Sequence, residues 1–447
     1  MSTKRATLIT GGTVVPGGPG ERVLPDGAVA IKGNRISDVG PSAEVAARHP
    51  GATVVDASGK LVMPGLVNAH THLYSSLARG LTAPLGPARS FVEKLETLWW
   101  RLDRALTEED VRASAAVGAI DLIRNGTTTV VDHHASQTAI RGSLSAVADA
   151  LVDVGIRANL CFETTDRNGQ QARNAGLAEN ERFAKEAAGR EGAMLTASVG
   201  LHASFTLSDE TLDRAAALAE EHGLGCHVHA AEDVADLRDS LARCGKRVVE
   251  RLASHGVLGP KTVAVHCIHV DERERGILKD TETMVAHCPQ SNMNNAVGCA
   301  RVPELLDGGV LVGLGTDGFS ASMFDEMKVA NLIHRHESGD PRVGHDVARR
   351  LCVENNPAIA SRLLNDRVGT LERGALADLI VLDYEPPTPL ETGNLMGHVV
   401  FGLSGGMVES VMVNGEFIVR DREFLKVDAR AVCARARERA RLLWSRM

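Results

Sequence analysis

Aromatic residues are scarce in this chain: Phe, Trp and Tyr make up 3% of 447 residues. So few ring faces leave little for bases to stack on, which makes nucleic acid a poor partner. Eight cysteines occur, at 161, 226, 244, 267, 288, 299, 352 and 433, yet none forms a Cys-x-x-Cys pair. A structural zinc knuckle or dithiol redox centre is thereby excluded, and the thiols read as reduced. No apolar run approaches the ~20 residues that span a bilayer, and Met1–Ile9 lacks the apolar core of a signal peptide. Blocks of one charge sign are missing too. The net charge of -8 is spread along the chain, against an anionic membrane or a phosphate backbone as target. These absences leave a cytoplasmic protein acting on small molecules as the expectation, and the sequon Asn125-Gly126-Thr127 as a turn that opens a strand.

What is present is alternation. Residues 1–64 and 366–425 show short β-branched runs broken by Gly and Pro, expected to pair into one discontinuous β-sandwich domain. The glycine-rich run Gly11–Gly20 reads as hairpin turns rather than a phosphate loop. Residues 426–447 are rich in Ala, Arg and Glu and predict a terminal helix whose arginines face solvent. Between them, in 65–365, apolar runs alternate with helical segments. Eight runs can be counted, around Leu61–Val67, Thr127–Asp132, Arg157–Glu163, Leu195–Leu201, Gly225–His229, Thr262–Cys267, Thr283–Cys288 and Leu311–Thr316. Eight strand–helix units predict an α/β fold of the (β/α)8 TIM-like barrel type, with catalytic residues at the C-terminal strand ends.

Those ends carry chemistry. The first run closes in Asn68-Ala69-His70-Thr71-His72, where strand alternation puts both imidazoles on one face. The fifth gives His227-Val228-His229, the sixth His266, and the eighth Gly315-Thr316-Asp317-Gly318. Three histidines and an aspartate arriving at one rim are suited to Zn²⁺, with Fe²⁺ or Mn²⁺ admitted by the same donors, and leave a position open for water. Glu232, about a turn beyond His229, is placed to move protons, and His266 to hold water or polarise a substrate. No lysine lies near the ends of the third or fourth runs to form a carbamate bridge, so one metal ion per subunit is expected rather than two.

The run Pro64–His72, followed in order by His229, Glu232, His266 and Gly315–Gly318, resembles the cytosine/guanine/adenosine deaminase branch of the amidohydrolase superfamily. Within it, the segments Leu98–Arg104, Val131–Ser136, Cys161–Asn168 and Ser291–Asn295 are similar to SsnA-like aminohydrolases. The resemblance implies one metal on His70, His72, His229 and Asp317, with Glu232, His266 and Asp317 catalytic. It implies an active-site role for His202, and it places Asp103 where nucleoside-handling relatives carry a glutamate that reaches substrate hydroxyls. This acid is one methylene shorter, which tells against a ribose-bearing substrate. Trp99, His133, Glu163 and Asn292 come from the SsnA-like segments as further candidate substrate contacts, and relatives of this kind are often dimers or larger.

The function expected from these residues is hydrolytic deamination of an amino-substituted heterocycle with release of ammonia. Ring opening or dechlorination on the same scaffold is the alternative, since activated water discriminates little between leaving groups. A non-catalytic assembly role is the remote one, because the set of ligands is complete.

Overall fold

The computed structural model describes residues 5–18, 22–81, 86–190, 194–344 and 346–447. Met1–Lys4 and the Pro19–Gly20 end of the glycine-rich run lie outside the described residues. The eight parallel barrel strands are β1 (Leu66–Thr71), β2 (Thr127–His134), β3 (Arg157–Phe162), β4 (Leu195–Ala197 with Val199–Ala203), β5 (Cys226–Ala230), β6 (Val263–His266), β7 (Met284–His287) and β8 (Val312–Leu314). They are almost wholly buried, as strands covered by helices outside and packed side chains inside must be. The chain thus forms a (β/α)8 barrel.

Its ladders run as two arcs, β1 to the first segment of β4 and the second segment of β4 to β8. A parallel bridge between Thr164 and Leu201 spans the first junction. At the second, the amides of Thr316 and Asp317 both donate to His70 O at 3.0 Å. Below that point Asn356 stitches β8 to β1, its Nδ2 donating to Val67 O and Leu314 O while Oδ1 accepts from Leu314 N. Gly315 is required there. A Cβ on it would sit 2.8 to 2.9 Å from the backbone and Cβ of His70.

The run Leu61–Val67, expected as a single strand, is two. Leu61–Pro64 belongs to a sheet built from both ends of the chain, and β1 begins after Gly65. The split has a steric cause: Gly65 packs so close to Thr128 that a Cβ would fall 2.2 Å from its side chain, and its amide donates to Asp378 O. The end sheet has nine strands. Leu61–Pro64 sits at its centre, parallel to Thr7–Val14 on one side and antiparallel to Leu379–Leu382 on the other.

A buried ion pair clamps this sheet to the barrel floor. Arg157, at the start of β3, donates through Nε and Nη2 to the two oxygens of Asp378 at 2.8 and 3.0 Å, and Asn414 N donates to the same carboxylate at 2.7 Å. Both side chains are fully buried. The terminal helix Ala429–Trp444 docks on helix Glu108–Arg124; Arg430, Arg435, Arg437 and Arg441 face solvent as expected, and Arg439 is the exception. Arg439 and Arg446, just beyond it, both pair with the buried Asp110, because that carboxylate has no other cation within reach among the described residues.

Leaving one charge of a buried pair alone is costly. Asp378→Ala is expected to destabilise the protein by about 3–5 kcal/mol in urea unfolding, and the double variant Arg157→Met/Asp378→Leu to recover most of that loss. A double variant as unstable as the single one would contradict this account of the clamp.

Candidate metal and active site

Each barrel strand ends at the same rim, and the imidazoles there are oriented by what lies behind them. His72 Nδ1 donates to His133 O at 2.6 Å and His229 Nδ1 to His202 O at 2.8 Å, and His70 Nδ1 shares a hydrogen bond with His227 Nε2 at 2.9 Å. With Nδ1–H committed in His72 and His229, their bare Nε2 lone pairs face each other, and a proton on His70 Nδ1 would leave its Nε2 bare beside them. His72 Nε2 lies 3.2 Å from His229 Nε2 and 3.1 Å from Asp317 Oδ1, and His70 Nε2 lies 3.7 Å from that oxygen. Donors 2.0–2.1 Å from a tetrahedral ion stand roughly 3.4 Å apart, so these spacings fit a single divalent cation. His70 Nε2 is buried with no hydrogen-bond partner, which an ion would satisfy.

Without an ion, the cluster turns to protons. Burial opposes charge on His72, but the Asp317 carboxylate outweighs it and raises the imidazole to about 9. Burial, with the charge on His72 and His266, holds His229 down at about 3. Burial would raise Asp317, but the His70 and His72 imidazoles beside its carboxylate outweigh that and hold it well below the usual carboxylate range.

A second group, His133, Glu163 and His229, also has ligand atoms close enough to meet. It cannot fill alongside the first. His229 has one free nitrogen, since Nδ1 is spent on His202 O, and one lone pair serves one ion. His133 Nε2 faces the carbonyls of Leu201 and His227 at 3.1 and 3.2 Å, so it carries the proton and leaves Nδ1 bare toward Glu163 Oε2 at 3.6 Å.

Glu232 and His266 adjoin the ion position. His266 Nδ1 donates to Asn292 Oδ1 at 2.8 Å, which aims its bare Nε2 at Glu232 Oε2, 3.4 Å away, and at Asp317 Oδ2, 3.9 Å away. Burial, reinforced by the Asp317 carboxylate, pushes Glu232 well above its ordinary value. Glu232 precedes the next helix rather than starting it; Asp233 is the N-cap of Val234–Cys244. The rim is bought with backbone strain: Ala231, His266, Cys267 and Asp317 all adopt left-handed φ of 48 to 71°.

A cavity opens over this cluster. His72, His229, Glu232, His266 and Asp317 form its floor. Trp99, Asp103, Glu163 and His202, each expected at the substrate, line its wall together with Trp100 and Phe205. Asp103 and Glu163 are tied by one cation: Arg167 Nη2 pairs with Asp103 and donates to Glu163 Oε1 at 3.2 Å, with its guanidinium 4.9 Å over the Trp100 ring. Burial pushes Asp103 up to about 6 and Glu163 to about 7, against the pull of Arg167. Asn292 and His133, also expected there, are not among the lining residues. Asn292 is buried behind His266, and His133 is walled in by His72, His227 and His229.

Several contributors carried no expectation in the sequence: His227, Arg167, Ser291, Asn295 and Lys94. His227 shared the alternation that marked His229, and Arg167, Ser291 and Asn295 lay in the segments Cys161–Asn168 and Ser291–Asn295 that carried the resemblance; Lys94 had no signal.

A family model described as the amidohydrolase family matches residues 61–418. The chain belongs to that family. A second, the imidazolonepropionase-like composite domain of bacteria, matches residues 27–52. The amidohydrolase is 33% identical to 5-methylthioadenosine/S-adenosylhomocysteine deaminase of Pelotomaculum thermopropionicum, over 98% of this chain and 99% of that one. It is 32% identical to 5'-deoxyadenosine deaminase of Methanopyrus kandleri, over 99% and 100%. An adenosine deaminase from Xanthomonas campestris, crystallised with bound zinc, superposes with a TM-score of 0.87 at 27% identity, covering 98% of each chain. The atrazine chlorohydrolase TrzN of Arthrobacter aurescens TC1, also with zinc, gives 0.83 at 22% identity over 97% and 100%, a likeness of fold. No helix among the described residues is long and apolar enough to cross a membrane.

Glu163 provides a test by linkage. Its carboxyl is raised in the folded protein, so the native state holds a proton that the unfolded chain gives up near pH 4.5, and stability falls as pH rises from there to about 7. Glu163→Gln removes this slope. Across that window the variant should gain on the wild type, by up to about tenfold in folding constant per pH unit, and the gap should be flat above. Parallel unfolding midpoints from pH 4.5 to 8 would contradict the assignment.

Proposed function

We propose that this amidohydrolase is a mononuclear metal-dependent deaminase acting on an amino-substituted heterocycle of the purine type, and that zinc is its native ion. The observation that supports it is the convergence of three Nε2 atoms and Asp317 Oδ1 on one point, with Glu232 and His266 beside it. The curated relatives named as deaminases of adenosine derivatives support the same reaction class.

His70, His72, His229 and Asp317 would hold the ion, which when bound supplies Lewis acidity that brings water toward ionisation near neutral pH. Glu232 takes one proton as water adds to the ring carbon bearing the amino group and passes it to the adjacent ring nitrogen; the second proton, from the hydroxyl of the adduct, goes to the departing amino nitrogen. His266, held by Asn292, borders the position of the attacking oxygen with its Nε2. Asp317 Oδ2, 3.9 Å from that nitrogen, accepts a hydrogen bond from the attacking oxygen. The C–N bond then breaks, leaving a ring carbonyl and ammonia. The wall of Trp99, Trp100, His202 and Phe205 offers flat apolar surface to a planar ring. Asp103, already paired with Arg167, has less freedom to reach a sugar than an unpaired acid would.

Metal-loaded protein should release ammonia from members of a panel of aminopurines, adenosine derivatives, aminopyrimidines and pterins. Glu232→Gln should lower that turnover by about 10²–10⁴-fold with metal content unchanged. Near wild-type turnover in the variant, or chloride or a ring-opened acid as the product, would defeat this reading. Replacing the partner behind a ligand, His227→Leu, should weaken zinc binding by about 10–100-fold in chelator competition. Unchanged affinity would remove His227 from the site.

A further inference from the structure

Asn295, the last residue of helix Pro289–Asn295 after β7, stands between a lysine and the reacting groups. Its Oδ1 accepts from Lys94 Nζ at 2.7 Å; Lys94 also donates to Asn294 O at 3.4 Å. Its Nδ2 donates to Glu232 Oε1 at 3.3 Å and to Ser291 Oγ at 3.4 Å. Ser291 in turn donates its hydroxyl proton to Asp317 Oδ2 at 2.5 Å. Every hydrogen bond in this chain points the same way, from the ammonium toward the two carboxylates.

The direction matters because an amide is nearly symmetric in shape and opposite in function at its two ends. An ammonium can only donate, so it compels Oδ1 of Asn295 to face it and compels Nδ2 to face Glu232. Without it the amide can rotate by half a turn and set its oxygen against Oε1. With it, Oε1 is occupied and Oε2 is the oxygen left facing His266 and the cavity. Lys94 is held to this task by its position: it ends the helical turn Phe91–Lys94, on the segment that carries Trp99, Trp100 and Asp103 to the cavity wall. The wall and the acid/base group are therefore joined by one cation.

We propose that Lys94 is a positioning residue for Glu232, acting through the orientation it imposes on the Asn295 amide; the catalytic part of this inference rests on the deaminase reading above. Lys94→Met and Asn295→Leu are expected each to lower kcat by about tenfold with KM within about twofold, and the double variant to lose no more than the worse single one. Lys94→Arg, which keeps a donor-only cation, should recover most of the rate. Independently of turnover, the Asn295 side-chain amide in ¹⁵N-asparagine-labelled full-length protein should shift on Glu232→Gln, and that response should vanish in a Lys94→Met background. Losses that multiply in the double variant would overturn the proposal, as would an Asn295 amide indifferent to Glu232→Gln or to Lys94→Met. Absence of ammonia release by the wild type counts against the deaminase reading alone, because the amide response still decides whether Lys94 orients Asn295.

Discussion

Four electron-rich atoms gathered around His72 Nε2, which lies 3.2 Å from His229 Nε2 and 3.1 Å from an Asp317 oxygen that is itself 3.7 Å from His70 Nε2, are the constraint around which the rim is built. Unprotonated imidazole nitrogens and a carboxylate oxygen repel at that range, and burial removes the water that would screen them. Something positive must sit among them. A proton on His72 is the metal-free answer, a divalent ion the better one, and the rings are prevented from turning away because each Nδ1 is already hydrogen-bonded. The hydrogen bonds behind the site thus do more than decorate it. They convert three histidines, each of which could relax alone, into a fixed set of lone pairs.

The strain at the strand ends belongs to the same logic. Left-handed backbone at Ala231, His266, Cys267 and Asp317 costs of order 1–3 kcal/mol each and survives only where surroundings over-determine it. Here the surroundings are the barrel closure: Thr316 and Asp317 hang on His70 O, and Asn356 holds β8 to β1 beneath them. Closure and ligand geometry are one structure seen from two sides. A change that loosens the β1–β8 seam would be felt first by Asp317.

Much of this was legible in the sequence because it depends on period and order. Alternation along a strand puts His70 and His72 on one face, and the rule that strand ends converge brings His229, His266 and Asp317 to them without any knowledge of distance. What depended on cross-barrel distance was not legible. Arg157 and Asp378, or Lys94 and Asn295, lie some 200 residues apart and no local pattern couples them. Asn292 was read as reaching the cavity, yet a residue near the start of a helix can face the preceding strand as readily as the solvent, and it turns to His266. The run Leu61–Val67 looked continuous because apolar character persists through Gly65; only the missing Cβ shows where one sheet yields to another.

The end sheet has a temporal consequence. Leu61–Pro64 pairs with Leu379–Leu382, more than 300 residues later. At ribosomal rates of about 5–20 residues per second, the early strands wait roughly 15–60 s for their partner to be made. Throughout that interval an apolar edge, Leu61-Val62-Met63, has no neighbour on one side, which is the condition under which strands pair with the wrong chain. Any part of the barrel that assembles during synthesis does so on a chain whose first sheet is still open. Chaperone demand and inclusion-body formation should track the time to residue 382 rather than the stability of the finished enzyme.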